Sequence, residues 1–312
     1  MQQFISLVIE SGRTGLDMAL YILLPIMVVM LALMKLLEAK GALRFIVNKL
    51  SPITHIFGIP GLGVFAMIKL LFVSFAAPIP SLLLMENGNT SRRHIAATLA
   101  MVMTMSQANA SFPLSAVGLD LGFALCSSLF GGLCAAAFTY YVLCRHLANN
   151  DARQNVPPSP TPSDHPSSVI QILVAGGQEG VKIAIGMIPM LILALLLVNS
   201  LKAVGAIDFL STFLAPALGF IGLPETAMLP IITKFIAGGT AFTGVTIDLI
   251  KQGLLSPLEL NRMAGFVLNP LDIAGVAVFA TVGKRLGSIL RYAVYGALFG
   301  LCLRGILHLI VF

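Results

Sequence analysis

An all-α integral membrane protein is the fold class this sequence predicts, and three observations predict it. Of 312 residues, 57% are hydrophobic and only 10% are charged, where a soluble domain has about 25% charged residues. Mean hydropathy is +0.95. Apolar runs about one bilayer span long recur along the chain, and they recur twice in the same order. At an offset of 164, Pro25, Gly41, Ala42, Phe45, Leu50, Pro52, Gly58 and Pro60 align with Pro189, Gly205, Ala206, Phe209, Leu214, Pro216, Gly222 and Pro224. One inserted residue later, at an offset of 165, Lys69, Ala76, Leu84, Gly88, Ser91, Gly118 and Gly122 align with Lys234, Ala241, Leu249, Gly253, Ser256, Gly283 and Gly287. Internal repeats that meet around a midplane site are how many secondary transporters are built.

Met1 to Arg13 reads as a short amphipathic lead-in, and Gly15 to Ala39 as a first span with Pro25 inside it. The apolar stretch runs on to Leu37 with no basic start and no small-residue cleavage site, which predicts a retained span rather than a cleaved signal. Gly41 to Phe57 mixes charge with apolar residues, as an interfacial helix does. Gly58 to Asn89 is apolar but broken at Ala76-Ala77-Pro78-Ile79-Pro80-Ser81, because two prolines two residues apart do not fit an unbroken helix. Ser91 to Val117 is a span with a polar middle from Ser106 to Pro113, and Gly122 to Leu143 is a clean span.

A polar stretch rich in Pro, Ser and Asn follows, the composition of a solvated linker. It divides the chain into a first repeat (1–144), a linker (145–172) and a second repeat (173–312). The second repeat holds a span (Val181 to Val204), an amphipathic piece (Ala206 to Ile221), an interrupted segment (Gly222 to Gly253), a polar-centred span (Leu258 to Val282) and a last span (Ile289 to Val311). The interruption is Gly238-Gly239-Thr240-Ala241-Phe242-Thr243-Gly244. Unpaired backbone groups at bilayer depth cost several kcal/mol each, so irregular chain survives there only when protein or a water-filled cavity covers it. Two half-helices of about 13 residues, rising about 20 Å each, fit a re-entrant hairpin. A single kinked span is the alternative.

The charges choose between these. If every apolar segment crosses, the repeats are parallel and the Lys and Arg divide nearly evenly. If the interrupted segments are hairpins, Lys35, Lys40, Arg44, Lys49, Arg92, Arg93, Arg145, Arg153, Lys182, Lys284, Arg285 and Arg291 share one side. Arg13, Lys202, Lys251, Arg262 and Arg304 share the other. Twelve against five is the bias of the positive-inside rule. The prediction is a 3+3 inverted-topology repeat: six transmembrane helices, two re-entrant helical hairpins and two interfacial helices. Both termini lie outside a bacterial inner membrane, and linker 145–172 lies in the cytoplasm.

This order of elements resembles the Gate, or nucleoside-recognition, domain family, which includes concentrative nucleoside transporters and spore-maturation membrane proteins. The residues that carry the resemblance are Gly41 with Pro52 and Pro60, Ala76-Ala77-Pro78, and their counterparts Gly205, Pro216, Pro224 and Gly238 to Gly244. In nucleoside transporters of that architecture, hairpin tips and adjacent unwound helices hold substrate and a coupling cation. The resemblance implies those roles for Pro78 to Ser81 with Ser106 to Ser111, and for Gly239 to Gly244 with Asn269 to Asp272. The tips are then marked by Pro78, Pro80, Ser81, Gly239 and Gly244.

The residues themselves point the same way. In Asn269-Pro270-Leu271-Asp272, the proline frees a carbonyl, and Asn269 and Asp272 share a helical face. A carboxylate at that depth faces a cavity or a partner, so Asp272 is either a ligand for substrate or cation, or half of an ion pair with an in-membrane lysine. Lys69 and Lys234 occupy equivalent places in the first leg of each hairpin. They can pair with Asp248 or Asp272, neutralise an anionic substrate, or snorkel to the interface. Asp248 reads as a partner for Lys234 or Lys251. Gln107, which matches Asp272 through the repeat, joins Asn109 and Ser111 as substrate-binding candidates or as ties between helices. Thr240 and Thr243 supply hydroxyls at the second tip, with Thr243, Asn269 and Asp272 as the cation set.

Other classes find less support. No basic patch carries interleaved aromatics and Trp is absent, so nucleic acid is not an expected partner. Cys126, Cys134, Cys144 and Cys302 lack metal or redox spacing, and the five histidines are scattered, so neither a metal nor a cofactor is expected beyond a coupling Na⁺ or H⁺. There is no Walker A lysine motif. Gly118-x-x-x-Gly122, Gly283-x-x-x-Gly287 and Gly296-x-x-x-Gly300 allow close helix approach within the protomer or between protomers of a homo-oligomer. The expected function is a non-enzymatic, cation-coupled secondary transporter of a small polar or anionic solute, nucleosides included. A membrane assembly partner of the spore-maturation type, or an intramembrane enzyme on a lipid-linked substrate, is the alternative.

Overall fold

The computed structural model describes residues 2–88, 90–147, 168–205, 218–219, 222–280 and 282–312, and among them every regular element is helical. Most of the linker and of the amphipathic piece expected at 206–221 lies outside the described residues.

The chain begins with α1 (Gln2–Met18), a π-helical turn (Ala19–Leu23) and α2 (Leu24–Ala39). These form one apolar rod over Phe4–Ala39. Residues 2–13 are therefore part of the first helix rather than a lead-in, because α1 packs on α9 (Val169–Ala203) along its length. Pro25 does not break the rod. It sits in the first turn of α2, where its missing N–H matters least, and the wider π turn just before it accommodates the ring. α9 lies against α2, and Gly176 and Gly180 make that approach possible. A Cβ at Gly176 would sit 2.6 Å from the Leu31 carbonyl, and one at Gly180 would sit 2.7 Å from that of Met27. This is a small-xxx-small contact, absent from the glycine pairs singled out in the sequence. Lys35 and Glu179 bridge the same two helices at 2.8 Å.

After Gly41, which takes a positive φ of 73°, α3 (Ala42–Ile56) buries Leu43 and Val47 and exposes Phe45, Ile53 and Ile56. That one-sided apolar exposure suits an interface. The chain then bends by 112° into α4 (Gly61–Phe72). Residues 73–78 are non-helical, and α5 (Ile79–Asn87) packs back on α4. α6 (Arg92–Thr104) and α7 (Ala108–Ser115) are separated by extended backbone at Met105 and Gln107. α8 (Leu121–Phe138) starts on an Asp120 cap and runs into a π turn at Thr139–Leu143.

A single 3-10 turn leads into α10 (Met228–Lys251), whose helical path is broken at Gly238 (φ 84°, ψ 179°). α11 (Pro257–Val267) opens with a capping box of Ser256 and Glu259. α12 (Ile273–Ala280) and α13 (Lys284–Val311) complete the chain.

α13 packs on α6, α8 and α11. Gly300 brings α13 onto α8: a Cβ there would lie 2.7 Å from both the Gly131 carbonyl and the Ala135 side chain. Gly296 faces Thr139 and Ala100. Gly296-x-x-x-Gly300 is thus occupied inside this chain. Gly118 instead takes φ 106° in a turn against Pro257, and Gly283 lies against Glu86.

Two helix ends are joined by a reciprocal clamp. The Glu86 carboxylate accepts from the backbone N–H groups of Arg285 and Leu286 at the start of α13 (2.6 and 2.8 Å). The Arg285 guanidinium donates to the carbonyls of Glu86, Gly88 and Thr90 at the end of α5. An anion thus sits on a positive helix end and a cation on a negative one.

Among the described residues four unbroken helices, Phe4–Ala39, Leu121–Leu143, Val169–Leu193 and Lys284–Val311, are long and apolar enough to cross a membrane, as is the broken Glu225–Lys251. The chain is a multi-pass membrane protein.

Candidate functional site

Two breaks between helices, α6 to α7 and α11 to α12, and the broken helix α10 form the polar centre. The first break, Met105 to Gln107, ends α6 with carbonyls that have no helical partner; the second, Leu268 to Asp272, does the same to α11. Arg304, near the end of α13 and 0% exposed, reaches both. Its Nη1 donates to the Thr104 carbonyl and, at 2.9 Å, to that of Leu268; its Nη2 donates to Ser106 Oγ at 2.8 Å. Among the described residues no carboxylate pairs with it. The negative ends of two half-helices supply the compensating charge instead.

The expectation that Arg304 marks an outer helix end is therefore wrong. Its side chain lies inside the bundle because Gly131, opposite, has no Cβ: one placed there would be 2.3 Å from Arg304 Cγ. Under the hairpin topology expected from the sequence, the charge division then becomes twelve to four. Nearby, Ser128 Oγ accepts from Ser106 N (2.6 Å), and His308 bridges Ser127 Oγ and the Asn261 carbonyl. These bonds tie α8, α11 and α13 around the breaks.

Asp272 and Lys234 form a buried ion pair, with side chains 5% and 0% exposed. The other carboxylate oxygen of Asp272 accepts from Gly275 N at 2.7 Å, capping α12. Of the two roles open to Asp272 in the sequence, the lysine pair is the one the side chains display. Asn269 completes the break locally: its Nδ2 donates to the Phe266 carbonyl, and its Oδ1 accepts from Leu271 N. Asp248 does not pair with Lys234 or Lys251. Gln252 Nε2, from the residue just past the end of α10, donates to it at 2.8 Å. It lines a peripheral cavity of ≈ 430 Å³ with Glu10, Thr14 and Asn199, away from the breaks.

The kink in α10 meets the first break. Gly239 lies so close to Gln107 that a Cβ there would be 1.8 Å from Gln107 Nε2. Thr243 Oγ1 donates to the Gly239 carbonyl (2.9 Å), and Ser111 Oγ to that of Gln107 (3.0 Å), so both hydroxyl protons are engaged locally. Asn109, 1% exposed, has no hydrogen-bond partner at either amide atom. It is the second residue of α7, whose preceding residue Gln107 provides no side-chain cap. Thr240 is half-buried; Gly244, Pro78 and Ser81 are buried, and Pro80 is exposed. Lys69 is only half-buried, unlike its repeat counterpart Lys234. Among the described residues no His, Cys, Asp and Glu cluster could hold a metal.

Sequence reasoning missed Arg304. The signal was present: an ionisable residue within the last apolar run marks a function or a partner by default.

No family model matches the chain. Spore maturation protein B of Bacillus subtilis (strain 168) is 33% identical over 133 residues, covering 41% of this chain and 72% of that protein. The fold is similar to that of CNTnw, a concentrative nucleoside transporter, in an inward-facing substrate-bound state (TM-score 0.68, 16% identity, 99% of this chain and 83% of that one). A variant of CNTnw in an outward-facing state gives a TM-score of 0.66 at 17% identity, over 99% of this chain and 83% of that one.

Proposed function

This chain belongs to the nucleoside-recognition and spore-maturation family of membrane proteins, and from that premise we propose that it is a secondary transporter. It carries a small polar or anionic solute across the bacterial inner membrane. In this reading residues 1–144 and 173–312 are inverted repeats of three crossings each. α4 with α5, and the two legs of α10, are hairpins that enter from the cytoplasmic and outer faces respectively. α3 lies along the interface, both termini are outside, and linker 145–172 is cytoplasmic. The twelve-to-four charge division supports that orientation.

Substrate binds where the second tip meets the first break, between Gln107, Asn109 and Ser111 on one side and Gly239, Thr240 and Thr243 on the other. The observation that carries this reading is the buried, unpartnered Asn109 amide. An amide left so costs about 1–3 kcal/mol, and a solute that hydrogen-bonds to it removes that penalty. The surroundings favour an anion. Among the described residues Arg304 has no carboxylate partner, Lys234 and Asp272 neutralise each other, and α7 directs its positive end to the same place. Coupling acts through the Lys234–Asp272 pair, which a proton on Asp272 would release, with Asn269 and Thr243 beside it. Lys69 attracts the solute from the first hairpin.

The 33% identity to spore maturation protein B favours a second reading, a membrane assembly partner that transports nothing. A thermal-stability screen of the purified protein against nucleosides, amino acids and organic anions separates the two. The transporter reading expects at least one organic anion to raise the melting temperature of the wild type, the underlying stabilisation being about 2.7 kcal/mol at a hundredfold excess over Kd. Asn109→Leu should melt higher without ligand, because it removes an unpaired amide, yet lose the shift. A screen with no stabilising solute, or a shift that survives in Asn109→Leu, would count against transport at this site.

A further inference from the structure

Unwound carbonyls and half-helix C-termini are what coordinate Na⁺ in transporters built from broken helices. Here a side chain already engages the carbonyls that end two of the broken helices. The Thr104 and Leu268 carbonyls, at the ends of α6 and α11, and the Ser106 hydroxyl all accept from one guanidinium, that of Arg304. A guanidinium keeps its charge and presents a fixed fork of donors, and this one is completely buried.

We infer that Arg304 is a tethered, permanent cation standing where a coupling metal cation would otherwise join the two breaks, so that neither folding nor ligand binding draws on Na⁺ there. Three consequences follow from the geometry. The two breaks are held at a fixed separation whether or not an ion is present. The charge stays with the protein when the site changes its exposure, so it contributes nothing to an ion gradient. Any coupling is left to the proton, and among the described residues the one buried carboxylate facing the breaks is Asp272, with Lys234 as its counter-charge.

Stability measurements on the full-length purified protein test this. The wild type should melt at the same temperature in sodium, potassium and N-methylglucamine chlorides of equal ionic strength. Arg304→Lys and Arg304→Met have side chains of similar length and differ in charge. Both should melt lower than wild type, the methionine variant by more, with its loss on the order of 5 °C or greater. Arg304→Ala leaves the three acceptors facing a vacated space, and low millimolar guanidinium or Na⁺ should restore part of its melting temperature where N-methylglucamine does not.

Specific stabilisation of the wild type by Na⁺ would overturn the inference, since a sodium site would then exist beside Arg304. A methionine variant as stable as the lysine variant would overturn it too, because the carbonyl ends would need no cation. So would a folded alanine variant that neither cation restores. The bearing on coupling rests on the transporter reading, but these melting points do not. A screen that finds no substrate would defeat the transporter reading and leave the role of Arg304 to stand or fall on its own data.

Discussion

Asp272→Ala is expected to destabilise the protein by about 3–5 kcal/mol, the cost of leaving a buried charge without its partner. Lys234 is fully buried in α10, and Asp272 is its only ion-pair partner among the described residues. The same substitution also removes the cap on α12, since Asp272 accepts from Gly275 N, which adds about 1 kcal/mol. Asp272→Asn keeps an oxygen for that cap, so it should lose less than the alanine variant. The decisive comparison is the double variant Lys234→Met, Asp272→Asn. With both charges gone it should recover most of the stability, because a buried ion pair is often no better than apolar residues of similar volume. Thermal unfolding of the four proteins measures this. An Asp272→Ala protein within about 1 kcal/mol of wild type would show that the pair does not hold α10 to the second break. If the pair also serves coupling, the double variant will be stable but inactive in uptake.

Gly239→Ala is expected to abolish ligand-induced stabilisation while shifting the melting temperature of the free protein little. The new methyl would fall 1.8 Å from Gln107 Nε2. That atom is the end of a flexible side chain rather than backbone, so Gln107 rotates away and the fold survives. The amide that faces the tip is then displaced, and a shift of about 1 Å in a binding group can cost a hundredfold in function. Gly300→Ala is the useful contrast. Its methyl meets the Gly131 carbonyl, which belongs to backbone and cannot step aside, so it should lose about 1–3 kcal/mol of stability by overpacking. A Gly239→Ala protein that keeps a full ligand shift would remove Gln107 and the second tip from the site.

Much of this architecture could be read from residues that interrupt helices. Pro78 with Pro80, and Gly238 with Gly239, each lie at a real break, because a proline pair cannot continue a helix from the preceding turn and a glycine accepts the positive φ that Gly238 takes. The polar middle from Ser106 to Pro113 located its break only approximately. The chain departs from helix at Met105 to Gln107, and Pro113 sits within α7. What fixes the break is tertiary: Arg304 takes the freed Thr104 carbonyl, and Ser128 takes the freed Ser106 N–H. No local pattern carries that information.

The repeat misled in one respect. Lys69 and Lys234 align, so equivalent environments were expected, yet only Lys234 is fully buried and paired. The position that matches Asp272 in the first half is Gln107, which has no charge to offer Lys69. A repeat preserves backbone geometry more readily than the charges placed on it. Gly176 and Gly180 were missed for a different reason. They lie at the edge of a segment whose composition suggested a linker, although α9 already begins at Val169.

In the proposed topology two helical hairpins dip into the bilayer from opposite faces and withdraw without crossing it. Single cysteines placed at His55 and Asn87, and at Glu225 and Gln252, on a chain freed of Cys126, Cys134, Cys144 and Cys302, test it with a membrane-impermeant maleimide on intact cells. The account predicts that Glu225→Cys and Gln252→Cys both label from outside while His55→Cys and Asn87→Cys both stay protected until the membrane is opened. If the members of either pair react from opposite sides, that segment spans the membrane, and the inverted repeat with its shared site is contradicted.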